Sequence, residues 1–302
     1  MRATFGDSLI VLKEKIEHLV VLDGDNATST KTDLFATQHP QSFFNVGIAE
    51  QNLVSVAAGL ALAGCRPVVC AFASMLVNRA LDQITHSVAY QNLGVVLVGH
   101  YAGISGSREG ACHHSISDIA ALRGIPHLTL LAPACDGDTE PLLHRALTSG
   151  TPHYVRLSRE TFADLPVPDS GGVAAGWRYW GPPEPEVVVV AAGTTSSLAL
   201  EALELVRPRT GVFNPLVLSP FPYEALGMVA ERARALVTVE EHSLRGGVGS
   251  TVAEWTAEHG GPKCRRIGLP HEFTVSGSYS NLMTRYGLTP QSIASAVNDI
   301  GR

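Results

Sequence analysis

Short apolar runs alternate with helical segments along the first half of this 302-residue chain, and this alternation constrains the fold most. Apolar runs predict strands over 19–22, 43–46, 67–72, 95–99 and 128–131. Helical spacing and composition predict helices over 5–19, 50–63, 76–90 and 117–122. Strands that are apolar throughout and separated by helices indicate a parallel sheet covered on both faces.

A second alternating unit follows a stretch rich in proline and glycine. That stretch, residues 163–185, fits an inter-domain linker. Strands over 186–192 and 235–239 and helices over 196–206 and 248–259 come after it. The sequence therefore predicts an α/β protein with two open α/β domains, one over 1–162 with a parallel sheet and a smaller one over 186–302.

Composition and charge exclude several classes of function. The net charge of −6 and the lack of a basic run argue against a nucleic-acid partner. The most apolar stretch, 53–77, is interrupted by Gly64, Arg66 and Pro67, whereas a membrane helix needs about 20 apolar residues in a row. The five cysteines form no C-x-x-C pair, which indicates reduced thiols. We expect a cytoplasmic protein without a signal peptide that binds no membrane.

Polar residues follow the predicted strands, where open α/β sheets bind their ligands. They fall in the segments 23–25, 47–50, 71–75 and 100–114. Glu50 lies between an apolar strand and an apolar helix. Taken alone, it is explained by the helix dipole, which favours an acidic residue in the first turn by about 0.3–1 kcal/mol.

Several motifs together resemble the transketolase family over nearly the whole chain and in the correct order. The segments VLDGDNATSTKTDLF, NVGIAEQN and NRALDQITHSVAYQNLGVVLVGHYAGIS resemble its pyrimidine-binding domain. The segments TVEEHSLRGGVGSTVAE and IGLPHEFTVSGSYSNLMTRYGLTPQSI resemble its C-terminal domain. The resemblance implies a thiamine-diphosphate enzyme that moves a two-carbon ketol unit from a ketose (phosphate) donor to an aldehyde.

The resemblance also assigns cofactor contacts. Glu50 matches the glutamate that hydrogen-bonds a ring nitrogen of the aminopyrimidine and so ionises the cofactor. Phe72 matches an aromatic residue that stacks on the pyrimidine, and Ile48 matches an apolar wall residue. Met75 occupies a position that is usually aromatic, so we expect weaker stacking there. Asp25 matches an aspartate near the thiazolium. Outside this resemblance, Phe72 and Met75 are explained as core residues.

A substrate-binding set is implied in the same way, with departures from the family pattern at Tyr101 and Glu109 and also at Arg108, Cys112 and His114. Arg2, Ser29 and Arg159 resemble the family's phosphate clamp, for which the planar guanidinium is suited. Tyr101 stands where a phosphate-binding histidine is expected, and Glu109 replaces an aspartate that contacts a sugar hydroxyl. We infer a specialised transketolase whose donor or acceptor differs from the common sugar phosphates.

The loop HYAGISGSREGACHH contributes His113, which matches a histidine that contacts the donor carbonyl or hydroxyl. A metal site formed by Cys112, His113, His114 and Asp118 lacks a standard ligand spacing, so we predict no metal ligands on this chain. A hydrolase using Cys112 and His113 is disfavoured because adjacent residues seldom form a nucleophile–base pair.

The half of the site that would hold the diphosphate is not found in this sequence. Gly24-Asp25-Asn26 with Asn52 resembles a Gly-Asp-Gly…Asn signature, but the third glycine is missing and Asn52 lies on the helix that carries Glu50. We therefore expect an N-terminal transketolase subunit on another chain to supply the diphosphate site and the ligands for Mg²⁺ or Ca²⁺. The expected assembly is a heterotetramer.

Two other functions remain open from the sequence. One is the beta subunit of a 2-oxoacid dehydrogenase decarboxylating component, although the loop with His113 and the segment Thr30-Lys31-Thr32-Asp33 look more like transketolase. The other is a non-catalytic paralogue kept for assembly.

Overall fold

The computed structural model of the chain describes residues 1–300, which form two sheets with helices around them. The strands are β1 (Leu19–Asp23), β2 (Phe43–Asn45), β3 (Arg66–Phe72), β4 (Val96–His100), β5 (Thr129–Leu131), β6 (His153–Leu157), β7 (Ser170–Gly172), β8 (Trp177–Trp180), β9 (Val187–Ala191), β10 (Thr210–Pro215), β11 (Val217–Ser219), β12 (Ala235–Ser243) and β13 (Lys263–Leu269). The α-helices are α1 (Arg2–Lys15), α2 (Ala27–Thr30), α3 (Thr32–Gln38), α4 (Glu50–Leu62), α5 (Ala73–Gln83), α6 (Asp118–Leu122), α7 (Thr139–Ser149), α8 (Thr195–Ala202), α9 (Tyr223–Ala230), α10 (Val248–His259), α11 (Tyr279–Arg285) and α12 (Pro290–Ile300).

The first sheet has the strand order β11-β5-β6-β4-β3-β1-β2 and is parallel except for β11. Alternate residues of its central strands enter two separate apolar clusters. Val69 and Leu97 join the cluster on the side of α4 and α5, whereas Val68 and Val96 join the cluster on the side of α1 and α7. The predicted parallel sheet covered on both faces is confirmed, and its apolar strands are explained by burial on both sides.

Strand β6 lies in the middle of this sheet, between β5 and β4, and the sequence did not predict it. His153 and Arg156 interrupt its apolar pattern, yet His153 is buried and Arg156 is held by Asp118, whose Oδ2 accepts from Nε at 2.9 Å. Burial of a charge needs such a partner. Arg156, one of the polar residues that hid the strand, is therefore accommodated by a partner distant in sequence.

Helix α5 begins three residues earlier than the sequence predicted. Its first residue is Ala73, and Phe72 at the end of β3 is its N-cap residue. At Ala80 the backbone departs from helical angles (φ −109°, ψ 19°), and a π-helical segment, Ile84–Ala89, follows. The earlier start brings Met75 into the first turn of the helix.

The second sheet has the order β13-β12-β9-β10-β8-β7, with β7 and β8 antiparallel to their neighbours. Both of these strands lie inside 163–185, so the range that we expected to be a plain linker contains two strands of the second sheet. Trp177 of β8 stacks on Phe213 of β10 with ring centroids 5.7 Å apart. Aromatic contacts of this kind favour strand formation in a segment rich in proline and glycine.

The two sheets are joined by side chains and by β11, which leaves the second half of the chain to pair with β5. Glu241 in β12 accepts a hydrogen bond at 2.7 Å from the backbone N–H of Ile104, and its own carbonyl accepts from Arg156 at 2.8 Å. Burial raises the pKa of the Glu241 carboxyl. Within residues 1–300, none of the helices combines the length and apolarity that crossing a bilayer requires.

Candidate active site

The predicted site residues gather at the carboxyl edge of the first sheet, where neighbouring parallel strands end together. Asp25 follows β1, Phe72 ends β3, Tyr101 follows β4 and Arg159 follows β6. These strands are adjacent in the order β6-β4-β3-β1. The topology therefore places four distant segments of the sequence along one edge.

Glu50 is the first residue of α4 and is only 5% exposed. Nη1 of Arg79 donates to both of its carboxylate oxygens, at 3.1 and 3.0 Å. An open cleft lies beside this pair, and we call it the Glu50 cleft. Its lining residues are Ile48, Ala49, Glu50, Gln51, Asn52 and Arg79. Since Ile48 is 73% exposed, the cleft combines a buried carboxylate with an exposed apolar wall.

Arg79 is a site residue that sequence reasoning missed. It lies four positions after Met75 on α5, so the two side chains share one face of that helix. Helices α4 and α5 pack against each other, which brings Arg79 to Glu50. The spacing to Met75 was a usable signal, but a helix predicted to begin at residue 76 left Met75 outside it.

Asp25 has a left-handed backbone conformation (φ 67°) and an exposed side chain. Its Oδ1 accepts from Nδ2 of Asn45 at 2.9 Å, and Oδ1 of Asn45 accepts from the N–H of Gly47 at 2.9 Å. The loops after β1 and β2 are thus linked near the start of α4. Asn52 lines the Glu50 cleft.

Asp23, rather than Asp25, is the buried carboxylate at the end of β1. It accepts from the hydroxyls of Thr30 and Thr32 at 3.0 and 2.8 Å and from the N–H of Asn26 at 2.7 Å. Burial raises the pKa of this carboxyl. These bonds fix the loop that carries Ser29.

A second group of side chains, which we call the Tyr101 cluster, forms a continuous chain of contacts. Its members are Arg2, Phe72, Tyr101, Glu109, His113 and Arg159. Arg2 donates to the hydroxyl of Tyr101 at 3.0 Å and to the carbonyl of Ser29 at 3.3 Å. Both arginines lie near the ring of Tyr101, because the guanidinium of Arg159 is 5.0 Å from the ring centroid and that of Arg2 is 5.9 Å from it.

Glu109 connects the arginine side of this cluster with its histidine. Its Oε1 accepts from Arg159 at 3.1 Å, and its Oε2 lies 3.8 Å from Nε2 of His113. The ring of Phe72 makes edge contacts with Tyr101 and His113, with centroids 4.7 and 5.3 Å away. An anion that bound to Arg159 would therefore compete with Glu109.

The second domain holds the loop on which Tyr101, Glu109 and His113 lie. Gly103 has a left-handed backbone (φ 64°), and a Cβ there would lie 2.3 Å from Oε1 of Glu241. This close approach lets Glu241 accept from Ile104. Oε2 of Glu241 also accepts from the hydroxyl of Tyr279 at 2.7 Å. A neighbouring carboxylate, Glu240, instead caps α10 by accepting from Val248 and Gly249 at 2.8 Å.

Two buried histidines at this edge were not predicted to matter. His100 is 1% exposed, and neither ring nitrogen has a hydrogen-bond partner within residues 1–300. Burial, with the charge of Arg2 nearby, lowers the pKa of His100 to about 3. His114 bonds Thr274 at 2.6 Å and the carbonyl of Ser107 at 3.1 Å, and burial lowers its pKa. Both imidazoles are therefore neutral near pH 7.

The residues of this edge have the chemistry that the pyrimidine end of thiamine diphosphate would need. Glu50 offers carboxylate oxygens to a ring nitrogen, and Ile48 offers an apolar surface to a ring. Phe72 and Met75 are half-buried and flank the start of α5. Among residues 1–300, no three His, Cys, Asp or Glu side chains are arranged to hold a metal ion. Asp118, weighed above as a ligand, is bound to Arg156 and Tyr154 instead.

Comparison with known families and proteins shows which family shares this pair of domains. The model of "Transketolase, pyrimidine binding domain" matches residues 1–163, and that of "Transketolase, C-terminal domain" matches residues 181–293. A solved structure described as "Split gene transketolase, inactive beta4 tetramer" is 35% identical, with a TM-score of 0.85 over 99% of this chain and 97% of its own.

Relatives of two kinds share this similarity. A "putative transketolase C-terminal section" of Methanocaldococcus jannaschii is 34% identical over 98% of this chain and 95% of its own length. A 1-deoxy-D-xylulose-5-phosphate synthase of Nitratidesulfovibrio vulgaris is 34% identical over 98% of this chain but only 47% of its own length. The chain thus spans about half of the synthases that it matches. By its two domains and their order, the chain belongs to the transketolase family.

Proposed function

We propose that this chain is the C-terminal subunit of a thiamine-diphosphate-dependent transketolase that moves a two-carbon ketol unit from a ketose (phosphate) donor to an aldehyde acceptor. The observation that carries the proposal is Glu50. Its carboxylate is almost excluded from solvent, sits at the carboxyl edge of a parallel sheet and faces an open cleft with an apolar wall. When bound, thiamine diphosphate supplies a ring carbon that can lose its proton and attack a ketose carbonyl.

The residues of this chain have distinct roles in the proposal. Glu50 would hydrogen-bond a ring nitrogen of the coenzyme and exchange a proton with it, which is the contact that would favour ionisation of the coenzyme. Ile48, Phe72 and Met75 exclude water around the ring, because apolar side chains at those positions leave no polar group for water to bind. Asp25, whose carboxylate accepts a hydrogen bond from Asn45, is assigned to the thiazolium side of the coenzyme.

On the substrate side, the Tyr101 cluster binds the sugar. Arg2 and Arg159 attract an anionic group, with the loop of Ser29 fixed beside Arg2. His113 exchanges a proton with a substrate hydroxyl or carbonyl, as an imidazole can do near neutral pH. Glu109 forms an ion pair with Arg159, so the cluster offers a dianionic phosphate less net positive charge than two unpaired arginines would. This supports a specialised donor or acceptor.

An N-terminal transketolase subunit on another chain completes the site in this proposal and supplies the ligands for Mg²⁺ or Ca²⁺, in a heterotetramer. The similarity to a split-gene transketolase and to a C-terminal section supports the separate N-terminal subunit. The free cysteines support a cytoplasmic enzyme. The test is to mix the purified chain with the candidate partner, coenzyme and a divalent cation and to follow ketose consumption. Activity should need both chains, and full activity of this chain alone contradicts the proposal.

A second candidate reaction is favoured by the 1-deoxy-D-xylulose-5-phosphate synthases among the relatives. The synthase reaction is an alternative to the transketolase reaction. The reaction of a 2-oxoacid dehydrogenase decarboxylating component is another alternative. The reconstituted pair can be given either a ketose phosphate or a 2-oxoacid, each with an aldehyde phosphate, and the products identified by mass spectrometry. Consumption of the ketose supports transketolase. Formation of 1-deoxy-D-xylulose 5-phosphate supports the synthase. Loss of the 2-oxoacid that requires an added electron acceptor supports the dehydrogenase component.

A further inference from the structure

Arg79 contacts Glu50 in a geometry that fixes the carboxylate without covering it. One nitrogen, Nη1, lies 3.1 Å from Oε1 and 3.0 Å from Oε2, so it bridges the two oxygens almost symmetrically. A carboxylate has about four acceptor sites, two on each oxygen. A donor midway between the oxygens uses the two inner sites. The two outer sites stay open to a second donor.

Within residues 1–300, no other side chain donates to Glu50, although its side chain is only 6% exposed. A carboxylate that lacks a fixed partner keeps some rotamer freedom, which costs free energy when a ligand has to order it. The bridging guanidinium removes that freedom because both oxygens must face one nitrogen. Arg79 itself is 51% exposed and lines the same cleft, so it can stay on the carboxylate while a ligand enters.

The backbone around Arg79 supports a functional role. Arg79 directly precedes Ala80, where the helical angles are lost, and the π-helical segment Ile84–Ala89 follows. Departures of this kind within helices are often found at functional sites. Met75, one turn earlier on the same face, is already proposed to contact the coenzyme ring. One helix therefore carries both an apolar contact for the ring and the partner of the carboxylate.

We propose that Arg79 is a positioning residue that holds the Glu50 carboxylate in the orientation required by the pyrimidine ring of the coenzyme. Arg79 acts through Glu50 and does not itself meet the substrate. This inference rests on the proposed function, since it names a residue that prepares the same site. The effect of Arg79 should therefore be measurable as coenzyme affinity in the absence of substrate.

The experiment measures thiamine diphosphate binding to the reconstituted pair by calorimetry, without substrate. Arg79→Ala should raise the dissociation constant roughly tenfold, as expected for loss of a charge-assisted hydrogen bond with a half-exposed partner. Arg79→Lys should recover part of the affinity because it keeps the charge but not the planar fork. Arg265→Ala, which removes an arginine from the exposed pair with Asp299, should bind as the unsubstituted pair does.

A double substitution tests whether Arg79 acts through Glu50. Coenzyme binding by Glu50→Gln with Arg79→Ala should equal that of Glu50→Gln alone, whereas additive losses contradict the proposal. Unchanged affinity in Arg79→Ala overturns it and leaves the proposed function intact. Failure of the unsubstituted pair to bind thiamine diphosphate overturns the proposed function instead. If Arg79→Ala does not assemble, Arg79→Gln against Arg79→Lys gives the same comparison, and equal affinity of the two contradicts the proposal.

Discussion

The Glu50 cleft and the Tyr101 cluster belong to the same domain but differ in how completely this chain builds them. In the Tyr101 cluster the side chains contact one another, from Arg2 on Tyr101 at 3.0 Å to Arg159 on Glu109 at 3.1 Å. In the Glu50 cleft a single ion pair is bordered by exposed residues, among them Ile48 at 73% exposure. One region is assembled, and the other is open.

This difference has a physical consequence. An exposed large apolar side chain gains about 25 cal/mol per Å² when another surface covers it, so the Glu50 cleft favours a ligand or a partner surface. The Tyr101 cluster satisfies its charges internally, and the second domain holds its loop through Glu241. A ligand there must exchange existing contacts for new ones. Substitutions in the two regions should therefore affect different measured quantities.

The largest effect is expected in the Glu50 cleft. Glu50→Ala in the reconstituted pair should lower kcat at least about 100-fold, because general acid–base catalysis of this kind contributes 10²–10⁴-fold. Assembly, measured by size-exclusion chromatography, should be unchanged. Glu140→Ala, which removes a glutamate from the exposed pair with Lys15, is the matched control and should leave turnover unchanged. Normal turnover in Glu50→Ala favours the non-catalytic paralogue.

The next effect concerns the loop that carries Tyr101, Glu109 and His113. It is measured as a change in stability, whereas the effect in the Glu50 cleft is measured as a change in turnover. Gly103→Ala should lower the free energy of unfolding by about 3 kcal/mol, since it combines a left-handed backbone with a Cβ overlapping Glu241. Urea unfolding measures this. Gly124→Ala is the control, because a Cβ at that exposed glycine has open space around it. Equal stability of the two variants would show that the second domain does not constrain this loop.

Arg159→Ala addresses ligand binding within the cluster. It should raise KM for a phosphorylated substrate roughly 30-fold, because a charge-assisted hydrogen bond is lost. The KM for the unphosphorylated analogue of the same sugar should change little. For the phosphorylated substrate, the KM of Arg159→Lys should lie between those of the unsubstituted enzyme and Arg159→Ala. Steady-state kinetics with both sugars checks this. An equal loss for both sugars contradicts a phosphate-binding role for Arg159.

The smallest effect concerns pH. Burial lowers the pKa of His100 to about 3 from an ordinary 6.5, so the unfolded chain takes up a proton that the folded chain does not. The stability associated with neutral His100 is complete above pH 6.5 and is lost progressively as the pH falls toward 3. At pH 5.5 the loss should be about 1.4 kcal/mol relative to pH 7.5.

His100→Leu should remove this part of the pH dependence without breaking a hydrogen bond, since neither ring nitrogen has a partner within residues 1–300. His144→Gln, at an exposed histidine, is the control and should keep the full dependence. Urea unfolding at pH 7.5 and 5.5 gives the comparison. If His100→Leu loses as much stability at pH 5.5 as the unsubstituted chain, His100 does not cause the effect.

The reach of sequence reasoning is seen by comparing β4 with β6. Residues 95–99 are apolar throughout and predicted a strand, which the structure has as Val96–His100. The neighbouring β6 includes Arg156, whose partner Asp118 lies 38 residues away, and no local pattern indicated it. The roles assigned to Glu50, His113 and the other site residues stay predictions. What the structure adds is their positions and neighbours.

Arg79 illustrates the same limit within the site. Glu50 could be singled out because its motif, NVGIAEQN, resembles the transketolase family, and that motif is one short segment of sequence. Its partner depends on how α4 and α5 pack against each other and on where α5 begins. A prediction that began this helix at residue 76 could not bring Met75 and Arg79 together on one face.

The sequence by itself determined the alternation of strands and helices, the parallel first sheet and the position of the candidate residues at the strand ends. These follow from hydrophobic periodicity and chain connectivity, which are local properties. Only the tertiary structure decided that Arg79 bridges Glu50, that Glu109 occupies Arg159, and that Glu241 holds the loop at Ile104 from 137 residues away. Such contacts form when separate elements dock, and their geometry is set by surfaces that no single stretch of sequence contains.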